Sequence, residues 1–199
     1  MGKAQANSEA RNRLLKAAET LFVQRGYEAV TVKDIAKATG IHHASIYHHI
    51  PGGKSALFLE VMTRHLQQHQ SGIETALTHA EKDVRSQLIA IAHWLLSQPP
   101  LDMIRLSQSD LPAIDSSAAQ QLDNLAFETL MLPIANVLVE AQIRGEVKHE
   151  DLGNVAGAIL SAVEGLHAIP DIYLEQNSNS REHMATQLID VFLRGIAPE

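Results

Sequence analysis

Apolar residues recur at three- and four-residue intervals through almost all of this chain, and no stretch alternates as a half-buried strand would. The pattern predicts an all-α protein. The first helix is expected to begin near Asn7 or Ser8, either of which can cap it, with Glu9 in the first turn. Leu14, Leu15, Ala18, Leu21 and Phe22 then form one stripe, and Gly26 stops the helix. Thr31 opens a short second helix. Asp34 stands three residues on, in capping-box spacing, and Gly40 ends the segment.

A third helix is expected from His42 or His43 to about Ile50, where Pro51-Gly52-Gly53 breaks it. A long fourth helix starts near Lys54, with Leu57, Phe58, Val61, Met62 and Leu66 as its stripe. Further helices are expected over 83–97, 101–109, 117–144, 151–168 and 180–195. Pro99-Pro100, Pro112, Gly145 and Pro170 mark the breaks, and Pro133 either kinks or divides its helix.

The most specific feature is 31–50. Two short helices meet at Gly40-Ile41, and small Ala36 permits the close crossing that a helix-turn-helix needs. Ile46 and Ile50, spaced i, i+4, can anchor the second helix to a core. Ala44, Ser45, Tyr47 and His48 then project from its other sides. A small apolar group, a hydroxyl, a phenol and an imidazole suit base edges and phosphates.

Charge changes the picture only when the chain is divided. The whole chain carries a net −7, which argues against nucleic acid. Residues 1–54, however, hold eight Lys and Arg against four Asp and Glu, so a basic head sits on an acidic body. There is no cysteine, which excludes disulfides, thiolate zinc sites and cysteine nucleophiles. The first six residues have no apolar core, so no signal peptide is expected. The densest apolar stretch, 88–96, is interrupted by His93 and falls well short of the roughly 20 residues of a membrane span. A cytoplasmic protein with no membrane partner is expected.

The motif at 13–18, with Leu21-Phe22, Gly26-Tyr27, 31–41, 45–49 and 54–57, resembles the TetR/AcrR family of bacterial repressors. The likeness covers roughly 8–62. It implies a homodimer with an N-terminal three-helix helix-turn-helix domain, here 1–55, followed by a larger helical ligand-binding and dimerisation domain, here 56–199. It implies that Thr31 and Lys33 open the helix crossing the DNA backbone. It puts His43, Ala44, Ser45, Tyr47, His48 and His49 on the recognition helix, and Lys54 at a phosphate. The partners implied are double-stranded operator DNA and a small-molecule effector. Two features depart from the family pattern: His42-His43 stands where a small capping residue is usual, and the Pro-Gly-Gly-Lys turn is one residue longer.

The eleven histidines do not assemble a metal site by spacing. His42 and His49 share a face but lie about 10 Å apart along the axis. His65 and His69 have ligand spacing without a visible third ligand. No metal and no cofactor are expected, and no phosphate loop or nucleophile elbow suggests an enzyme. Trp94, Met103, Phe127, Met131 and His167 are the candidate effector-pocket residues, being bulky or polarisable groups on the body helices. Close packing of small residues in 154–165, together with Ile159, Val163, Leu188, Ile189 and Phe192, is expected to build the dimer interface. An architectural DNA-binding protein without an effector is the alternative reading.

Overall fold

The computed structural model describes residues 2–42, 45–47, 50–176 and 180–198, with the side chains of 2–8, 175 and 176 excepted. Among these residues there are helices and no strands. The helices are α1 (Gly2–Ala29), α2 (Val32–Thr39), α3 (Gly53–His79), α4 (Val84–Ser97), α5 (Met103–Arg105), α6 (Ser116–Ala126), α7 (Leu132–Ile143), α8 (Leu152–Gly165), α9 (Asp171–Gln176) and α10 (Arg181–Gly195). Residues 45–47 are also helical. The chain divides into two compact units, 1–66 with 101–125, and 67–100 with 126–199.

In the first unit, Leu14, Leu15, Ala18 and Phe22 of α1 are buried, as are Leu57, Phe58, Val61, Met62 and Leu66 of α3. Burying each large side chain contributes about 1.5–3 kcal/mol. The rings of Phe22, Phe58 and Tyr27 form an aromatic cluster, with the first two edge to face at 5.1 Å. α1 starts earlier than expected, at Gly2, because Lys3-Ala4-Gln5-Ala6 are good helix formers that carry the helix past the possible caps at 7 and 8. Gly26 breaks the helical geometry at φ 78, as its position predicts.

In the second unit, Leu88, Ile91 and Leu95 of α4 pack with Ile134 and Leu138 of α7, Ile159, Leu160 and Val163 of α8, and Ile189 of α10. Arg85 clamps Asp190 through two hydrogen bonds of 2.6 and 3.1 Å. Asp83, Asp151 and Ser180 each cap the helix that follows by accepting a backbone N–H.

Pro133 does not divide its helix. A wide π turn, Phe127–Met131, precedes it, and the Leu132 N–H reaches back five residues to Phe127 O. The ladder thus widens just before the residue that has no N–H to give. The combined run Ser116–Ile143 is long and apolar enough to cross a membrane by composition alone, although 39% of its most apolar window is buried in the fold.

Candidate nucleic-acid interface

The helix-turn-helix is assembled by local chemistry. Thr31 caps α2: its hydroxyl accepts from Asp34 N at 3.2 Å and donates to Asp34 Oδ2 at 2.7 Å. The Thr31 N–H donates to the same carboxylate at 2.9 Å. These bonds hold the Asp34 carboxyl below its usual pKa, with the Thr31 hydroxyl the largest cause. The hydroxyl expected at the DNA backbone is therefore committed to the cap, and it is the start of α2 that it presents. Gly40 closes α2 in the left-handed conformation at φ 67.

Ile35 and Ala36 bury one face of α2, and Ile46 and Ile50 are fully buried, so both helices of the pair are anchored as their spacing predicts. Tyr47 stands 47% exposed, Lys33 and Lys37 are exposed, and Ser45 is half-buried. His43, Ala44, His48 and His49 lie outside the described residues.

Lys54 is not a free cation. Its ammonium donates to Tyr27 O at 2.8 Å and sits 3.9 Å over the Tyr27 ring. That position fixes the first turn of α3 to the end of α1 while leaving further N–H donors on the ammonium. Asp110 and Arg105 complete this junction, with Arg105 turned to α1 rather than standing among the polar groups of an effector pocket: Asp110 accepts the Tyr27 N–H at 2.7 Å. Polar residues on a short amphipathic helix read as solvent-facing, and nothing local signals a partner in α1.

The candidate pocket residues are distributed over the molecule. Trp94, Met131 and His167 belong to the second unit, and Met103 belongs to the first. Phe127, also in the second unit, is 55% exposed. The Trp94 indole lies directly on Gly72, and the Met131 methyl on Gly157, so glycine cradles both large side chains. Trp94 Nε1, His167 Nε2 and Thr129 Oγ1 are buried and find no hydrogen-bond partner among the described residues. Thr129, buried in the π turn, was not among the expected residues.

Burial lowers the His167 pKa, and a hydrogen bond to the Leu95 main chain opposes the shift. The folded state therefore resists protonating this ring. As pH falls below the ordinary histidine value of 6.5, the unfolded chain binds the extra proton first, and stability drops. His167→Gln is expected to lose that part of the acid slope, compared with wild type by denaturant unfolding between pH 7 and 5. Parallel curves would contradict the assignment.

His65 is buried with Nδ1 at 3.2 Å from Glu19 Oε1, and this bond is the main cause of a lowered Glu19 pKa. The partner of His65 is thus a carboxylate. Among the described residues, no cluster of three or more metal-ligating side chains is present.

Residues 14–61 match the model of the bacterial regulatory proteins of the tetR family. The chain is 37% identical over 76 residues to the HTH-type transcriptional activator FasR of Mycolicibacterium smegmatis, covering 38% of this chain and 34% of that protein. It is 38% identical over 76 residues to the HTH-type transcriptional repressor KstR2 of the same species, covering 36% of this chain and 37% of that one. These matches span about a third of either relative's length. A crystal structure of a transcriptional regulator from Saccharomonospora viridis, in complex with choline, is similar over 96% of this chain and 100% of that one. Its TM-score is 0.73 at 24% identity, a likeness of fold. The capped helix pair lies within residues 14–61, and it is this segment that carries the motif of the tetR family of bacterial regulatory proteins.

Proposed function

We propose that this chain is a cytoplasmic transcriptional repressor that binds a pseudo-palindromic operator as a homodimer and is released by a small, mainly apolar effector. The observation that carries the reading is the helix-turn-helix itself: α2 capped by Thr31, the turn closed at Gly40, and an exposed Tyr47 on a helix anchored by Ile46 and Ile50. In this reading 1–55 bind DNA, and 56–199 bind the effector and dimerise.

The division of labour at the DNA is testable. Tyr47→Ala is expected to lower discrimination between operator and random duplex by about 1–3 kcal/mol, the scale of a lost base contact. Lys54→Ala is expected to weaken binding to every duplex and to reduce the salt slope by about 0.9, one phosphate, with a smaller loss of discrimination than Tyr47→Ala. Equal loss of discrimination in both variants, measured by salt-dependent titration, would contradict these roles.

Dimerisation is supported by the small, exposed face of α8, where Ala158, Ser161 and Gly165 follow one another at helical spacing. On α10, Val191 is exposed, and Leu188 and Phe192 are half-buried. Ile159, Val163 and Ile189, expected at the interface, are instead buried within the protomer, because α8 and α10 turn those residues toward α4 and α7. The contact between protomers must then rest on the small residues and on Leu188, Val191 and Phe192. Ala162→Glu is expected to sediment as a monomer, and an unchanged dimer would move the interface elsewhere.

An effector site is supported by the unpaired buried polar atoms of Trp94, His167 and Thr129 inside an apolar helical unit. Buried polar atoms without protein partners call for a ligand or water. The choline complex of the Saccharomonospora viridis protein shows that a small molecule was bound by a protein of this fold.

A further inference from the structure

The end of α1 is held by side chains from far along the chain. Gly26 breaks the helix, and this leaves carbonyls of its last turn without helical donors. Arg105 supplies them: its Nη2 donates to Val23 O at 2.7 Å and to Phe22 O at 3.3 Å. A cation at this end also meets the negative pole of the helix. Asp110, only 4% exposed, accepts the Tyr27 N–H, and its second oxygen lies 3.5 Å from Arg105 Nε. Lys54 takes the carbonyl of the same residue. Both backbone groups of Tyr27 are thus held by side chains, one of them 83 residues away.

Gly26 makes this approach possible. A Cβ there would stand 2.9 Å from Arg105 Cδ and 3.0 Å from Asp110 Oδ1. Four residues after Tyr27 comes Thr31, the cap that starts α2. The direction in which the chain leaves the Gly26–Tyr27 turn therefore decides where α2, and the turn after it, are placed.

We infer that Arg105 and Asp110 are positioning residues for the helix-turn-helix, holding the turn from which α2 is launched so that the pair is presented in one orientation. The inference rests on the DNA-binding reading for its consequence, and on the geometry of this junction for its cause. Apolar residues could fill the same space, but the Tyr27 N–H would lose its acceptor and the Val23 carbonyl its donor. What an apolar pair could not do is fix the direction of two carbonyls and one N–H.

The test uses the full chain as Arg105→Met, Arg105→Lys and Asp110→Asn variants, with Leu138→Ala in the core of the second unit as a stability control. Amide exchange is followed at Tyr27 and over 32–39. Affinity is measured for a duplex selected by the wild type from a random pool, and for an unselected duplex. Arg105→Met is expected to speed exchange over 32–39 at least tenfold, and to lower the selected-to-unselected affinity ratio at least tenfold. Arg105→Lys, which keeps a cation, and Asp110→Asn, which keeps an oxygen for Tyr27, should fall between. Leu138→Ala should lower the melting temperature yet keep the ratio. If Arg105→Met changes exchange over 32–39 and the ratio no more than the control does, the residues are ordinary struts and the inference is wrong. Should the wild type select no duplex, the DNA reading fails. The exchange arm then decides the positioning claim by itself.

Discussion

Gly26→Ala is expected to destabilise the first unit by about 3 kcal/mol, the largest single effect outside its apolar core. Two costs combine. The backbone there has φ 78 and ψ 171, a region open essentially to glycine, and holding another residue in it costs on the order of 1–3 kcal/mol. The new methyl would also meet Arg105 and Asp110 at 2.9–3.0 Å. If those side chains withdraw, the Tyr27 N–H loses its acceptor, a further ~1–3 kcal/mol where the group stays buried. Helix propensity would favour alanine by only about 1 kcal/mol, and not at a residue outside helical geometry. Denaturant unfolding followed by a probe in the first unit measures the loss. A change under 1 kcal/mol would mean that the turn does not have the conformation described.

Gly72→Ala sets two known terms against each other inside α3. Alanine gains about 1 kcal/mol of helix propensity over glycine. The added Cβ, however, would lie 1.9 Å from Trp94 Cζ2 and 2.0 Å from Cε2, both in a rigid ring. The indole must move by more than an ångström, and overpacking of that kind costs about 1–3 kcal/mol, occasionally more. The steric term wins, with an expected net loss of about 2 kcal/mol. Trp94→Leu in the same chain should recover most of it, because residues in contact do not behave additively. A stabilised Gly72→Ala variant would show that the Trp94 ring does not lie on α3.

How much could be read from the sequence depended on the distance over which each feature is determined. The Thr31–Asp34 cap, the Gly40 stop and the buried faces of α2 and α3 are legible because a few neighbouring residues fix them. So are the helix starts at Asp151 and Ser180. The junction of Arg105 and Asp110 with α1 is not, since its partners are more than 80 residues apart and both look like surface residues. Lys54 falls in the first turn of α3, where the Pro51-Gly52-Gly53 break predicts a helix start, but its engagement with Tyr27 depends on how α1 and α3 pack. The same reason accounts for Ile159, Val163 and Ile189: periodicity shows that they face something apolar, and cannot distinguish the protomer's own core from a partner. Of the pocket candidates, Trp94 and His167 have buried polar atoms while Phe127 is exposed, a difference that composition cannot show.

Sequence-specific DNA binding by a two-fold pair of helix-turn-helices is the property on which the proposed function depends. The most direct measurement is selection of duplexes from a random pool by the purified full chain at moderate salt, followed by sequencing of the enriched fraction. One enriched pseudo-palindrome is expected, its half-sites centred about 10–10.5 base pairs apart, or a multiple of that distance. A pool that stays random after repeated rounds, across a range of salt concentrations, would contradict it.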